Sequence, residues 1–119
     1  MRASNWIAAI TSAAMGIACA APKPPPNQQL TDARTAMRVA EKVGAPSQPR
    51  AATYFAVARE QMVSANREMA RDNYEAAAML LRRAQANAEL AAALAREATA
   101  RAEATAMRRQ VEELKSRVR

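Results

Sequence analysis

Alanine recurs at three- and four-residue steps along most of this chain, and this pattern favours packed helices over any other fold. Half of the 119 residues are hydrophobic, most of these are alanine, and aromatic residues make up only 3%. Alanine, arginine, glutamate and methionine all favour the helical backbone, whereas β-branched residues are few and no alternating strand pattern occurs. The sequence therefore predicts an all-α fold, either an alanine-rich antiparallel hairpin or a three-helix arrangement with a long C-terminal helix.

A helical domain is expected over residues 30–119, and its first helix is predicted at about 28–43. Gly44 stands where a left-handed helix end favours glycine, and the two prolines between residues 45 and 49 indicate a hinge. The apolar face of this helix is set by spacing. Its members are Leu30, Ala33, Met37, Ala40 and Gly44.

The second helix is predicted at about 49–71 and the third at about 73–117. Asp72 is expected to cap the third helix, with Glu75 three residues later completing a capping box. Whether these two helices form a hairpin or one continuous rod stays open at this stage. The apolar face of the second helix is predicted to contain Tyr54, Ala58, Met62, Ala65 and Met69.

The third helix carries two apolar seams in different phase. The first contains Tyr74, Ala77, Leu81, Ala84, Ala88, Ala91, Ala95, Ala98 and Ala102. The second contains Met107, Val111, Leu114 and Val118. The shorter helices cannot cover the whole third helix, so the part from about Ala98 onward is expected to project and to bind a partner. We expect Met107, Val111, Leu114 and Val118 to contact that partner, with Arg108 and Arg109 on the flank; a solvated helix end is the alternative.

The N-terminal residues have the order of an export signal. Arg2 precedes an apolar run over residues 6–18, which is too short to span a bilayer as a helix, and Cys19 and a proline-rich stretch follow. We expect a signal peptide over residues 1–18, cleavage before Cys19, a lipid on the Cys19 thiol, and an extended tether over residues 19–29. The alternative is cleavage before Ala21, which would give a soluble periplasmic or secreted protein.

The residue types that most enzymes need are scarce. The chain has one cysteine and no histidine, which excludes an intramolecular disulfide and the common zinc, haem and Cys/His nucleophile arrangements. No glycine-rich phosphate loop occurs. We therefore expect no enzymatic activity, no catalytic residue, no metal, no cofactor and no small-molecule substrate.

The chain is basic, with a net charge of +7. Arg2 is the only charged residue among the first 18, so residues 19–119 contain 17 basic and 11 acidic residues, a net charge of +6. Such a charge attracts anionic lipids, cell-wall polymers or nucleic acid. However, pairs such as Glu97/Arg101 and Glu113/Arg117 indicate a solvated helical surface, and nucleic acid is not favoured because no recognised binding motif or aromatic cluster occurs.

The layout of the helical part resembles a known bacterial envelope family, catalogued as domain of unknown function 4398. The resemblance covers about Leu30 to Glu97, and its most specific part is Asp72-Asn73-Tyr74 followed by LLRRAQANAELA. Other matching positions are Ala33, Ala36, Gly44-Ala45, Ala58, Met62, Ala65, Ala77, Leu81, Ala84 and Ala88. The resemblance implies a small α-helical protein that is exported or lipid-anchored.

The expected function follows from the export signal, the helical body and this resemblance. We expect a non-enzymatic envelope protein, anchored through the lipid on Cys19 at the periplasmic face of the outer membrane. Its helices would act in scaffolding, through a protein partner or a second copy. The alternatives are a soluble periplasmic helical protein and a basic module that binds polyanions.

Overall fold

In a computed structural model, which describes residues 21–119, the chain forms three α-helices and one short 3-10 turn. Helix α1 spans Asn27–Lys42, the 3-10 turn Ala45–Ser47, α2 Pro49–Ala70 and α3 Tyr74–Val118. Each helix begins and ends within one residue of the range that the sequence predicts. No strand occurs among residues 21–119, and the all-α prediction is confirmed.

The helices fold back on one another rather than forming a rod. Phe55, early in α2, packs in one apolar cluster with Ala91, which lies late in the packed part of α3. Ala65, late in α2, packs instead with Leu81, early in α3. Helices α2 and α3 are therefore antiparallel, which resolves the alternative left open by the sequence.

Helix α1 packs against another side of α3 and runs parallel to it. Ala33, early in α1, lies in the same cluster as Leu81, and Ala40, late in α1, lies in the same cluster as Ala91. The first half of α3 is thus packed against both shorter helices. The starts of α1 and α3 lie at the same end of the bundle.

The core consists almost entirely of alanine side chains. Apart from Pro26, the only apolar side chains larger than alanine among the buried residues of 21–119 are Leu81 and Phe55. The buried alanines of α3 are Ala77, Ala84, Ala88, Ala91, Ala92 and Ala95. Because each alanine buries little apolar area, the helix axes must lie close together. Partly buried methionines, Met37, Met62 and Met69, pack against the edges of the alanine core.

Two positions predicted for the core are exposed. Tyr54 is 39% exposed, whereas the adjacent Phe55 is only 4% exposed and is buried with Ala51 and Ala58. Residues 54 and 55 lie four and three positions before Ala58, so either could share its face of the helix. Packing against α3 buries Phe55 and leaves Tyr54 exposed. The ring of Phe55 is also covered by the Arg59 guanidinium, 5.2 Å from the ring centroid. Ala102 is exposed as well, because the first seam of α3 is covered only as far as Ala98.

The turn after α1 has Gly44 at its left-handed helix end, as the sequence predicts. Gly44 has φ of +82°, a conformation that costs glycine little because it has no Cβ. Its N–H donates to the Glu41 carbonyl at 3.0 Å, which closes the end of α1. Pro46 then lies in the 3-10 turn and Pro49 begins α2, where a missing N–H leaves no helical hydrogen bond unmade.

The second turn differs from the predicted capping box. Asp72 has φ of +57° and forms the left-handed end of α2: its N–H donates to Met69 at 3.1 Å, and the Asn73 N–H donates to Glu68 at 2.9 Å. This pair of bonds is a Schellman motif. The N-cap of α3 is Asn73, with no side-chain cap hydrogen bond. The prediction that Asp72 caps α3 was wrong, because Asp72 is used to end α2.

The proline-rich stretch lies partly against the bundle. Helix α1 begins at Asn27, so the irregular segment ends earlier than the predicted tether of residues 19–29. Pro26 is buried, and Lys23 Nζ lies 3.1 Å from a carboxylate oxygen of Glu75 at the start of α3. The predicted signal peptide, residues 1–18, and Cys19 lie outside the described residues. Within residues 21–119, no helix is long and apolar enough to cross a membrane.

Candidate functional site: the C-terminal arm

Helix α3 extends far beyond the two helices that cover it. It contains 45 residues, against 22 in α2, so it is about 67 Å long and α2 about 33 Å. Ala95 is its last buried residue, and every residue from Thr99 to Arg119 is exposed. We call residues 99–119 the C-terminal arm.

An apolar stripe runs along the C-terminal arm. It consists of Met107, Val111, Leu114 and Val118, which are 67%, 49%, 60% and 88% exposed; we call these four residues the arm stripe. Their steps of four, three and four residues place them on one side of the helix. Ala100 and Ala104 continue the same steps toward the bundle. The structure therefore brings together the four apolar residues that the sequence predicts as partner contacts.

The arm stripe is offset from the face of α3 that packs against α1 and α2. At 100° of rotation per residue, its centre lies about 120° around the helix axis from the centre of the buried seam between Ala77 and Ala95. The stripe is thus a separate surface and not an unfinished part of the core.

The two arginines predicted to flank the stripe lie in different places. Arg108 follows Met107 and lies beside the arm stripe. Arg109 lies about 170° from the centre of the stripe, on the far side of the helix. Adjacency in sequence suggested both residues, but the rotation between successive residues separates them, and Arg109 does not reach a helix packed on the stripe.

Ion pairs along the helix stabilise the arm without tertiary support. Arg101 lies 2.6 Å from a Glu97 carboxylate oxygen and Lys115 lies 2.9 Å from Glu112. Arg117 pairs with Glu113. Pairs at these spacings add a few tenths of a kcal/mol each to a helix. Within the described part of the chain, neither Glu103 nor Arg108 takes part in an ion pair.

The remaining surface offers little chemistry by comparison. A groove of about 310 Å³ lies between α1 and α3, with Asp32, Gln85, Glu89 and Arg96 among its lining residues. No polar or charged side chain of residues 21–119 is buried. In the same range, no group of three His, Cys, Asp or Glu residues is placed to hold a metal ion.

Two features of the arm were missed by sequence reasoning. The continuation of the stripe through Ala100 and Ala104 was assigned to neither seam, although the four-three spacing was present in the sequence. The position of Glu103, on the edge of the stripe opposite to Arg108, was not used. Both follow from placing residues 100–118 on one helix and counting the rotation.

A known protein family matches most of the helical part of this chain. The family described as "Domain of unknown function (DUF4398)" matches residues 28–107. The matched region covers the three-helix bundle and ends at Met107, the first residue of the arm stripe. No curated protein and no solved structure matches the chain.

Proposed function

The chain belongs to the family described as domain of unknown function DUF4398, and we propose that it is a non-enzymatic, lipid-anchored protein of the cell envelope that holds a helical partner on its C-terminal arm. The observation that carries this proposal is the arm itself. A preformed helix with a continuous apolar stripe faces solvent over residues 107–118. Apolar surfaces of this kind are typical of protein interaction sites.

The anchor is proposed at Cys19, in the sequence GIAC that ends the predicted signal peptide. Ala20 rather than aspartate follows the cysteine, so this position does not indicate inner-membrane retention, and the outer membrane is the proposed destination. The seven residues from Cys19 to Pro25 span about 20 Å when extended. They would keep the bundle close to the bilayer surface.

The arrangement of the helices would direct the arm away from such an anchor. Lys23 pairs with Glu75, so the proline-rich segment lies at the end of the bundle where α3 starts. Met107 is 33 residues along the helix from Tyr74, a distance of about 50 Å. An anchored chain would therefore present the arm stripe far from the membrane, where it can meet a partner.

The preformed arm also lowers the cost of binding. A disordered segment would have to lose backbone entropy when it binds, at roughly 1–2 kcal/mol per residue. The arm is already helical through Val118. A partner helix can pack its side chains between Met107, Val111, Leu114 and Val118 in the manner of a coiled coil.

A truncated chain that ends at Ala106 tests the arm. The last buried residue is Ala95, so the bundle should unfold at the same urea concentration as in the full chain. The complex formed in native membranes, measured by its size after cross-linking, should be lost. A complex of unchanged size in the truncated protein would contradict the proposal.

A matched pair of point variants tests the arm stripe independently of the truncation. Leu114 lies on the arm stripe, and Ser116 lies on the far side of the same helix turn. Leu114→Asp should abolish the complex, and Ser116→Asp should leave it intact. Equal effects of both substitutions would indicate that added charge, and not the stripe, controls assembly.

The anchor is tested by the mass of the N-terminal peptide from native membranes. A diacylated Cys19 would support the lipid anchor. An unmodified N-terminus at Ala21 would contradict it and favour the soluble periplasmic or secreted alternative.

Polyanion binding remains the competing function, because the chain carries a net charge of +7. Arg101, Lys115 and Arg117 are already paired with carboxylates in the arm, which makes this function less favoured. Salt dependence separates the two: binding to a polyanion falls steeply between low and physiological salt, whereas docking of an apolar stripe does not.

A further inference from the structure

The arm residues follow a heptad pattern that favours two parallel strands. Beta-branched or small residues occupy the a positions, Ala104, Val111 and Val118. The d positions are Ala100, Met107 and Leu114, of which the last two carry longer side chains. In parallel coiled coils, β-branched residues at a with leucine at d favour dimers.

The charges beside the stripe distinguish the parallel from the antiparallel orientation. In a parallel pair, a g position faces the next e position of the other strand, so Glu103 would face Arg108 of the second copy, and the reverse. In an antiparallel pair the e positions face each other. These are Arg101, Arg108 and Lys115, all basic, and like charges in register repel. The repulsive e contacts outnumber the attractive ones that Glu103 and Arg117 would make between g positions.

The geometry of the bundle also allows two arms to meet. The centre of the arm stripe lies about 120° around the helix axis from the seam that holds α1 and α2. Two α3 helices that pair along their stripes would meet beyond Ala95, the last residue that the shorter helices bury, so these helices do not lie between the paired residues. Toward the bundle, Glu97 occupies the next a position, where it would face Glu97 of the second copy and end the paired region.

From these observations, we propose that the occupant of the arm stripe is a second copy of this chain, in a parallel, in-register coiled coil over residues 100–118. The proposal rests on the proposed function of the arm and identifies its partner. The paired region is shorter than three heptads, so the pairing is weak between free chains. Chains anchored in one membrane would gain from a raised effective concentration, and their common orientation matches the parallel arrangement.

Disulfide formation in the full chain tests the register. Ala104 faces Ala104 of the second copy in the parallel pair, whereas Ala102 lies on the outside of each helix. Ala104→Cys in native membranes should form a covalent dimer under mild oxidation, and the matched control Ala102→Cys should not. Both cysteines fall in the tryptic peptide of residues 102–108, so its mass distinguishes their disulfides from any formed by Cys19.

An antiparallel pair gives a different result. It would place Ala104 opposite Leu114 of the second copy, with the two copies of residue 104 about 15 Å apart along the axis. Mixed Ala104→Cys and Leu114→Cys chains would then form only the mixed disulfide. That outcome, or the absence of a disulfide between two copies of residue 104, would overturn the proposal.

Charge exchange provides a second test, with a restoring variant. In the Ala104→Cys chain, Glu103→Arg or Arg108→Glu alone should lower the dimer yield about tenfold, because two attractive pairs become repulsive. Both substitutions together should restore the yield. Circular dichroism should show unchanged helix content in all variants, since both residues are exposed. Failure of the double variant to recover would contradict the parallel register.

The two proposals can fail separately. If the truncation at Ala106 abolishes a complex with another protein while the Ala104→Cys chain forms no covalent dimer, the arm is an interaction surface but the partner is not a second copy. If the truncation changes nothing and no dimer forms, both proposals fail.

Discussion

The side-chain amide of Asn87 in α3 donates to the side-chain oxygen of Gln61 in α2, with 2.9 Å between Nδ2 and Oε1. It is the only side-chain hydrogen bond within residues 21–119 that joins two helices. A seam of alanines presents nearly identical layers, so sliding one helix by a heptad costs little apolar contact. A polar pair at one layer specifies the register.

A double-mutant cycle on Gln61→Ala and Asn87→Ala measures this relationship. Alanine is a better helix former than asparagine, so each single effect combines the lost hydrogen bond with a propensity gain. The coupling between them should be about 0.5–1.5 kcal/mol, measured by urea unfolding. Strictly additive effects would show that the two amides do not stabilise the register.

Leu81 should contribute strongly to the stability of the bundle, because it is the largest fully buried side chain in residues 21–119. Leu81→Ala should lower the free energy of unfolding by about 2–5 kcal/mol. Leu90 is 41% exposed on the same helix, so Leu90→Ala serves as the matched control and should cost less than about 1.5 kcal/mol. Equal losses in the two variants would contradict the assignment of the core.

The alanine seam should resist larger side chains. Ala88 is fully buried between the helices, and Ala88→Leu should destabilise the bundle by about 1–3 kcal/mol through overpacking. Ala86 is exposed on the same helix, and Ala86→Leu should change stability by less than about 0.5 kcal/mol. Thermal unfolding followed by circular dichroism compares them, and a stabilised Ala88→Leu variant would argue against close helix contact.

The tyrosine at the second turn should titrate above its ordinary range. The Tyr74 hydroxyl donates to Asp72 at 2.7 Å, and this hydrogen bond, with desolvation and the charge of Asp72, raises the pKa of Tyr74 above 10.0. A raised folded-state pKa means that the stabilisation is present below the unfolded value and is lost as the pH rises through the folded one. Its pH window therefore lies above pH 10.0.

Absorbance of tyrosinate in a Tyr54→Phe chain reports Tyr74 alone. Asp72→Asn removes the charge but keeps a residue type that tolerates the left-handed backbone, and it should lower the pKa of Tyr74 toward the ordinary value. An unchanged titration would show that Asp72 does not control the hydroxyl.

Much of this fold follows from local spacing. The three helix ranges and the seam from Ala77 to Ala95 are set by three- and four-residue steps and by Gly44, whose left-handed conformation ends α1. These features depend on residues close in sequence, so the pattern predicts them well. The arm stripe was found in the same way.

The errors occur where tertiary contacts choose between equal local options. Tyr54 and Phe55 both fit a helical step from Ala58, and only packing against α3 buries Phe55. Asp72 suits an N-cap as well as a left-handed helix end, and the reversal of the chain between α2 and α3 selects the second. The antiparallel placement itself could not be read from spacing, since a continuous rod has the same periodicity.

The proposed surface through which this protein binds its partner is the arm stripe. The most direct measurement is photo-cross-linking in the native host, with the photoreactive residue placed at Leu114 or at Ser116 in the full chain. We expect one discrete adduct from position 114 and none from position 116. The same adducts from both positions, or none from position 114, would contradict it.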